Sequence, residues 1–228
     1  MLASLIQLIN YPLSLCAVLI AFISALFICL PAHEFAHAHA AVREGDITPK
    51  ALKRYTLSPF AHIDPMGFVL LLFFGFGFAK PVPVNPANFK RGTFSKIRVS
   101  LAGVLTNLGI GIIACFIYAL IQSFWPEFFV NYGFISEVYY YFFEFCITLN
   151  FWFAFFNILP IYPLDGFRLV ESFSRTENGY IRFMKRFSFW ILLLLLITDI
   201  VGLYLNFVAG GSINIILDLF SKFFMLFK

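Results

Sequence analysis

Two histidines and a glutamate, His33, Glu34 and His37, follow directly after a long apolar run. If this stretch is helical, His33 and His37 lie one turn apart, so both imidazoles project from one face at a spacing that suits a single metal ion. Glu34 then points to the side, where it can reach a metal-bound water without being a ligand. Ionisable groups at bilayer depth are costly and usually functional, so the cluster needs a chemical explanation.

The spacing matches H-E-x-x-H, the arrangement in which zinc peptidases bind the metal through two histidines and use the glutamate as a base. The competing interpretation is a buried histidine pair satisfied by ordinary hydrogen bonds. The preceding run, residues 13–30, has only four polar side chains, which belong to Ser14, Cys16, Ser24 and Cys29. In so apolar a context we favour the metal site.

A catalytic zinc generally takes three protein ligands and leaves a fourth position for water. Asp165 is the strongest candidate for the third ligand, because Pro160 and Pro163 interrupt the helix before it and Gly166 permits close approach. A carboxylate beside broken helix at membrane depth is typical of a site. The other candidates are weaker; they are Cys29, His39, His62, Asp64 and Asp199.

The composition indicates an integral membrane protein. Of the 228 residues, 61% are hydrophobic and only 12% are charged, and the mean hydropathy is +0.88, whereas soluble domains are about one quarter charged. The net charge of +4 does not indicate a nucleic-acid partner, because the basic residues cluster in particular loops, as topology signals do. The four cysteines lie in apolar segments without paired spacing and are interpreted as small buried hydrophobes.

The apolar segments predict an all-α polytopic membrane protein with about five transmembrane helices. We expect one membrane-embedded domain over residues 1–228, with a catalytic core at about 13–171. Residues 66–78 are short for a span and are predicted to be re-entrant, with an extended segment following them near the active site. The last segment either spans or lies in the interface. The predicted spans are 13–42, 99–124, 140–159 and 187–207, and the segment whose path is left open is 213–227.

Charge asymmetry predicts the sidedness. Cations concentrate in residues 43–64, 80–98 and 168–186, which are therefore assigned to the cytoplasm, whereas the loop before residue 140 carries no Lys or Arg. This topology brings His33, His37 and Asp165 to one depth near the cytoplasmic face. We expect an integral protein of a prokaryotic cell (inner) membrane, with its active site towards the cytoplasm.

These residues carry a family resemblance. The histidine motif together with the Leu-Asp-Gly aspartate resembles the site-2 protease family of intramembrane zinc metalloproteases (peptidase family M50), since other membrane H-E-x-x-H proteases complete the zinc site with a glutamate. Further segments resemble its compact, single-module branch. The resemblance spans about 13–171 and departs at Val104, where many members have Pro. Its motifs are Asn157-x-x-Pro160-x-x-Pro163-Leu164-Asp165-Gly166, Thr56-Leu57-Ser58-Pro59-x-x-His62-Ile63-Asp64-Pro65-x-Gly67, Ala79-Lys80-Pro81-Val82-Pro83-Val84-Asn85-Pro86 and Ala102-Gly103-x-x-x-Asn107.

The resemblance implies one zinc ion on His33, His37 and Asp165, Glu34 as general base, and a membrane-protein substrate with a transmembrane helix. It also implies helper roles for three asparagines, which could bond substrate backbone or the oxyanion; the alternative is interhelical hydrogen bonding. A histidine and an aspartate in the loop after the motif helix either orient a ligand or substrate, or anchor a turn. These five residues are Asn107, Asn150, Asn157, His62 and Asp64.

The predicted function is hydrolysis of peptide bonds in or near transmembrane segments. The rival is a metal transporter or sensor that holds an ion at the same three ligands. A transporter would favour polar residues across the whole bilayer and an internal repeat, whereas the polar groups here cluster at one depth. A catalytically silent scaffold would not need Glu34.

Overall fold

The computed structural model describes residues 11–74, 77, 79–174 and 176–227, and regular structure in this part of the chain is helical. Four short helices or turns and five longer helices follow one another, with a 3-10 turn at Pro86–Asn88 and another at Pro126–Phe129. The helices are α1 (Pro12–Arg43), α2 (Thr48–Ala51), α3 (Pro59–His62), α4 (Pro65–Phe74), α5 (Thr93–Phe124), α6 (Phe134–Asn157), α7 (Asp165–Phe173), α8 (Gly179–Ile197) and α9 (Ile200–Met225).

Among the described residues, three helices are long and apolar enough to cross a membrane, namely α1, α5 and α9. The 24-residue helix α6 packs along both α1 and α5, and α9 packs on α5 and α6. The all-helical membrane fold predicted from the sequence is therefore confirmed, whereas the count of five transmembrane helices is not.

Small side chains let the long helices approach closely. Ala17, Ala21 and Ala25 are fully buried at four-residue spacing on α1. In the middle of the bundle, α1, α5, α6 and α9 share one hydrophobic core. The side chains of Cys115 on α5 and Phe151 on α6 are almost completely buried in it. Close packing through small residues is the usual way that helices associate without a hydrophobic driving force in lipid.

The segment predicted to be re-entrant begins as helix α4, and residues 75, 76 and 78 lie outside the described residues. Its two ends meet: Ile63 and Ala79 form an antiparallel bridge, and the Lys80 amide donates to the His62 carbonyl over 2.7 Å. Ends that lie side by side are what a re-entrant path requires.

One predicted span is wrong in its bounds. The structure ends α8 at Ile197 and starts α9 at Ile200, in the middle of the predicted span 187–207. Asp199 between them has φ +54, the left-handed conformation that terminates a helix and that Asp tolerates better than most residues. The Thr198 hydroxyl donates back to the Leu194 carbonyl and closes the last turn. The predicted segment 213–227 is the second half of α9.

Candidate metal centre

Three potential ligand atoms converge at one end of the bundle. His33 Nε2 and His37 Nε2 lie 3.1 Å apart, and Asp165 Oδ2 lies 3.2 Å from the first and 3.0 Å from the second. All three residues are buried, and together they form the one group of metal-binding side chains found among the described residues.

The triangle has the size that zinc needs. Ligand bonds of about 2.0–2.1 Å in tetrahedral geometry put neighbouring ligand atoms about 3.3–3.4 Å apart. The observed separations of 3.0–3.2 Å are slightly shorter, so small outward shifts would admit the ion. Two imidazoles and one carboxylate are also a set that zinc accepts, with a fourth position left for water or substrate.

Hydrogen bonds orient both imidazoles and place a proton on Nδ1 of each. His37 Nδ1 lies 2.7 Å from the Val99 carbonyl, which can only accept, so Nδ1 carries the proton. His33 Nδ1 lies 2.5 Å from Asn107 Oδ1, whose amide nitrogen donates to Asn150 Oδ1. When these imidazoles are neutral, Nε2 is the atom with the lone pair, and in both residues it faces the Asp165 carboxylate, which is the arrangement that binding a metal ion requires.

The first two candidate ligands lie on one regular helix, and the third lies where a helix is broken. His33 and His37 are one turn apart on α1, so their rings lie on one face, where they meet edge to face with centroids 4.7 Å apart. Helix α6 stops at Asn157, and α7 starts at Asp165 itself, where the amino end of the helix favours a carboxylate. At Gly166 an added Cβ would lie 2.0 Å from the Ile158 carbonyl oxygen, so only glycine lets α7 fold this tightly against the end of α6.

Helix α5 presses against the two histidines through a glycine. A Cβ built on Gly103 would lie 2.4 Å from His37 Nε2 and 2.5 Å from His33 Cε1, well inside van der Waals contact. The missing side chain therefore makes room for the imidazoles at the metal centre.

Glu34 follows His33 directly on α1 and is buried. Its Oε2 accepts the backbone N–H of Val82 over 2.8 Å, while Val82 is itself only 3% exposed. The proline-rich segment that follows Ala79 thus runs directly past this carboxylate. In the part of the chain that the structure describes, Oε1 accepts no hydrogen bond, which leaves it for a proton or a water molecule.

A carboxylate that sequence reasoning missed anchors that segment. Asp46 is fully buried. Its Oδ2 accepts the Asn85 amide over 2.7 Å, and its Oδ1 accepts Asn88 Nδ2 over 2.8 Å and the backbone and hydroxyl donors of Thr48. We call Asp46, Thr48, Asn85 and Asn88 the Asp46 clasp. The available signal was the Asp-x-Thr spacing, which is typical of a side chain that closes a turn.

The clasp keeps Asp46 ionised. Burial by itself raises the pKa of this carboxyl, but donors from Thr48, Asn88 and Asn85 outweigh that effect, and the pKa is lowered below its usual value. Glu44, two residues earlier, behaves similarly: the hydroxyl of Ser95 and the positive charge of Arg98 lower its pKa. Together the two carboxylates tie the end of α1 to the segment 85–98.

Asp46→Ala is expected to loosen the segment that contacts Glu34. The change removes a charged acceptor from buried donors, which costs about 3 kcal/mol of stability, and it should raise hydrogen exchange at the Val82 amide and slow substrate cleavage. The control is Asp218→Ala, which breaks an exposed ion pair with Lys222 on α9 and should cost about 0.5 kcal/mol or less. Equal exchange at Val82 in the two variants would show that the Asp46 clasp does not hold the segment.

The predicted asparagines occupy different positions. Asn107 and Asn150 are fully buried and hydrogen-bonded to each other, and the Asn150 amide also donates to the Cys146 carbonyl. Asn107 reaches the metal centre through His33, as described above. Asn157 is half-buried and donates to the Phe153 carbonyl of its own helix. Roles of these residues towards substrate stay predictions.

The predicted pair in the loop makes local contacts. His62 is fully buried; its Nε2 donates to the Thr56 carbonyl over 2.8 Å, and its Nδ1 has no partner among the described residues. Asp64 Oδ1 accepts the amides of Met66 and Gly67 at the start of α4, as a turn-anchoring aspartate does. An orienting role towards a ligand or substrate stays a prediction for both.

Known proteins resemble this chain over most of its length. Residues 132–198, which include Asn150, Asn157 and Asp165, match the model of peptidase family M50. YwhC of Bacillus subtilis (strain 168), named as a zinc metalloprotease, is 34% identical over 215 residues, 94% of this chain and 95% of the relative. Rip2 of Mycolicibacterium smegmatis, also named as a zinc metalloprotease, is 30% identical over 193 residues, 82% of this chain and 70% of the relative.

No solved structure matches the chain. The two relatives are aligned over most of their own lengths, so the likeness is not confined to one motif. The match to the family model covers the part of the chain that contains Asp165. Together with His33 and His37, this aspartate forms a site of the size that zinc requires. The chain belongs to peptidase family M50, the site-2 protease family, and is a zinc metalloprotease embedded in a membrane.

Proposed function

We propose that this protein cleaves peptide bonds in or near the transmembrane segments of other membrane proteins, with His33, His37 and Asp165 as the zinc ligands. The observation that carries the proposal is the buried triangle of ligand atoms with Glu34 beside it, inside a bundle of membrane helices. A metal centre at this place can meet a substrate only within the membrane or at its edge.

Zinc, when bound, would activate a water molecule and polarise the carbonyl of the scissile bond. We assign Glu34 the role of general base. Its Oε2 is held by the Val82 amide, so Oε1 is the atom that takes the proton from the water and later delivers it to the leaving amine. Asn107 and Val99 hold the two imidazoles with Nε2 towards the metal.

The substrate must unwind before it can react, because the carbonyls of an intact helix are hydrogen-bonded and shielded. The extended segment around Val82 lies next to Glu34 and offers backbone groups to which an unwound substrate strand could bind. Helix-weakening residues near the end of a substrate span should therefore favour cleavage.

We place the metal centre towards the cytoplasm of a prokaryotic cell, in its inner membrane. The segment that leads into α5 at the metal-centre end contains clustered cations, among them Lys80, Lys90 and Arg91, and the first turns of α5 add Arg98. The loop between α5 and α6, in contrast, contains Glu127 and no Lys or Arg. Cytoplasmic loops of membrane proteins are enriched in cations in this way.

Zinc removal tests the proposal. In liposomes that contain the purified protein and a single-span reporter with an Asn-Gly pair near the cytoplasmic end of its span, a chelator should stop cleavage and Zn²⁺ should restore it. A reporter with an uninterrupted polyleucine span is the control and should be cut at least tenfold more slowly. Cleavage that persists without zinc, or zinc flux across the liposome membrane without cleavage, would favour the transporter instead.

A further inference from the structure

The amino end of α8 lies at the metal-centre end of the bundle. The Tyr180 hydroxyl donates to the Pro160 carbonyl, just after α6 ends, and the Tyr180 ring lies 6.4 Å from the ring of Phe167. One turn further on, Lys185 Nζ lies 2.9 Å from Glu171 Oε1. Phe167 and Glu171 belong to α7, which begins at the proposed aspartate ligand. The first two turns of α8 are therefore fixed beside the metal centre.

The helix that follows α8 runs parallel to α5. The ring of Phe220 lies 5.3 Å from that of Phe116, and the ring of Phe224 lies between Phe116 (5.3 Å) and Phe124 (5.9 Å). Earlier on the same helix, the Tyr204 hydroxyl donates to the Phe155 carbonyl, close to the end of α6 at Asn157. Residue numbers thus rise together along the two helices. Since α5 contacts the histidines near its start, through Gly103, and ends at Phe124, α9 also runs away from the metal centre.

The carboxyl end of α8 must then lie at the metal-centre end as well. At about 1.5 Å per residue, Gly103 is roughly 31 Å before Phe124, and Ile200 is roughly 36 Å before Phe224. Ile200, three residues after the end of α8, therefore has the depth of the metal centre or lies beyond it. A helix of 19 residues is about 28 Å long, so α8 cannot cross the membrane and still have both ends at one depth.

We propose that α8 is not a membrane span but lies in the membrane surface on the metal-centre side, where it binds the headgroups of anionic phospholipids. Arg182 and Arg186 are exposed on its first half and complement lipid phosphates. Trp190 is 64% exposed, and the interface is the depth that Trp prefers. Only Ile181 and Ser188 of this helix are buried against protein, so lipid covers the remaining apolar surface.

Cysteine labelling with a membrane-impermeant maleimide tests the position of α8. In a Cys16→Ser background, we expect Thr198→Cys to be labelled from the same side as Leu52→Cys, which marks the loop after α1. Asn131→Cys, between α5 and α6, and Leu226→Cys, after α9, should be labelled from the opposite side. Labelling of Thr198→Cys together with Asn131→Cys would mean that α8 crosses the membrane and would overturn the proposal.

Tryptophan quenching tests the lipid. With Trp125→Phe and Trp152→Phe, the fluorescence reports Trp190 alone, and we expect phosphatidylglycerol brominated high on its acyl chains to quench it more strongly than phosphatidylcholine brominated at the same positions. Arg182→Gln and Arg186→Gln should each lower the preference for phosphatidylglycerol about fivefold. The control Lys222→Gln removes a cation at the far end of α9 and should leave the preference unchanged.

Equal quenching by the two lipids would overturn the headgroup assignment, and quenching only by lipids brominated near the bilayer centre would overturn the surface position. Labelling and quenching both report where α8 lies, and neither requires peptide cleavage. A protein that failed to cleave would therefore leave both results interpretable.

Discussion

Glu34→Gln is expected to abolish substrate cleavage while zinc stays bound. The amide has the size of the carboxylate and can still accept the Val82 N–H, but it cannot take a proton from water at neutral pH. General-base catalysis typically contributes about 10²–10⁴-fold, so a loss of that size is expected in kcat with little change in zinc content. The measurement is cleavage of the single-span reporter in liposomes, with metal analysis of the same preparation.

The matched control is Glu127→Gln, in the turn after α5 at the opposite end of the bundle, where cleavage should stay within about twofold of wild type. Wild-type cleavage by Glu34→Gln would exclude Glu34 as the base. Membrane proteomics of cells that express Glu34→Gln should also reveal natural substrates, because uncleaved proteins accumulate there and not in wild type.

Gly103→Ala is expected to weaken zinc binding, because the added methyl group would displace the imidazoles of His33 and His37. Its methyl group would lie 2.4 Å from His37 Nε2 and 2.5 Å from His33 Cε1, so the imidazoles must move and the ligand triangle must open. Mutation of the residues that hold metal ligands in place commonly lowers the affinity for the metal about 10- to 100-fold. We expect the zinc affinity of Gly103→Ala to fall by at least that factor. Competition with a chelator of known zinc affinity measures it.

Gly109→Ala is the control on the same helix, because no atom lies within 4 Å of the Cβ that it would add. Alanine favours a helix over glycine by about 1 kcal/mol, so this variant should bind zinc normally. Thermal unfolding of both variants separates a local effect on the metal from loss of the fold. Equal zinc affinity in the two variants would mean that α5 does not press on the histidines as described.

The ligand triangle was predictable because it depends on side-chain types that are rare in lipid. Histidine pairs at helical spacing and a carboxylate at a broken helix have few structural explanations in an apolar chain. Charge asymmetry predicted that the histidines and the aspartate lie at the same membrane depth. In the structure, Nε2 of His33, Nε2 of His37 and Oδ2 of Asp165 lie within 3.2 Å of one another. Their assignment as ligands stays a proposal.

The contacts around the triangle could not be predicted, because they depend on backbone groups and on packing. The N–H of Val82 and the carbonyl of Val99, which orients His37, are backbone groups. Because nearly every residue has such groups, the amino-acid type does not show which of them will contact a site. In the sequence, Asp46 is one of several acidic residues in a polar loop, and its partners Asn85 and Asn88 are about 40 residues away.

The apolar pattern also gave the wrong bounds for α8, because hydropathy reports composition and not the direction of the chain. The run from 187 to 207 is apolar enough for a span, yet a left-handed Asp199 divides it. Hydropathy does not report the backbone conformation of a single residue, so the parallel course of α5 and α9 had to come from the structure.

The contact between Glu34 and Val82 has a consequence for how this enzyme tolerates change. Because the donor is a main-chain amide, nineteen of the twenty amino acids can supply it, and proline alone cannot. The side chain at position 82 can therefore change without removing this hydrogen bond, provided that it fits the buried space that Val82 fills. The position of the Glu34 carboxylate thus depends on the path of the backbone at residue 82 and not on the type of side chain there.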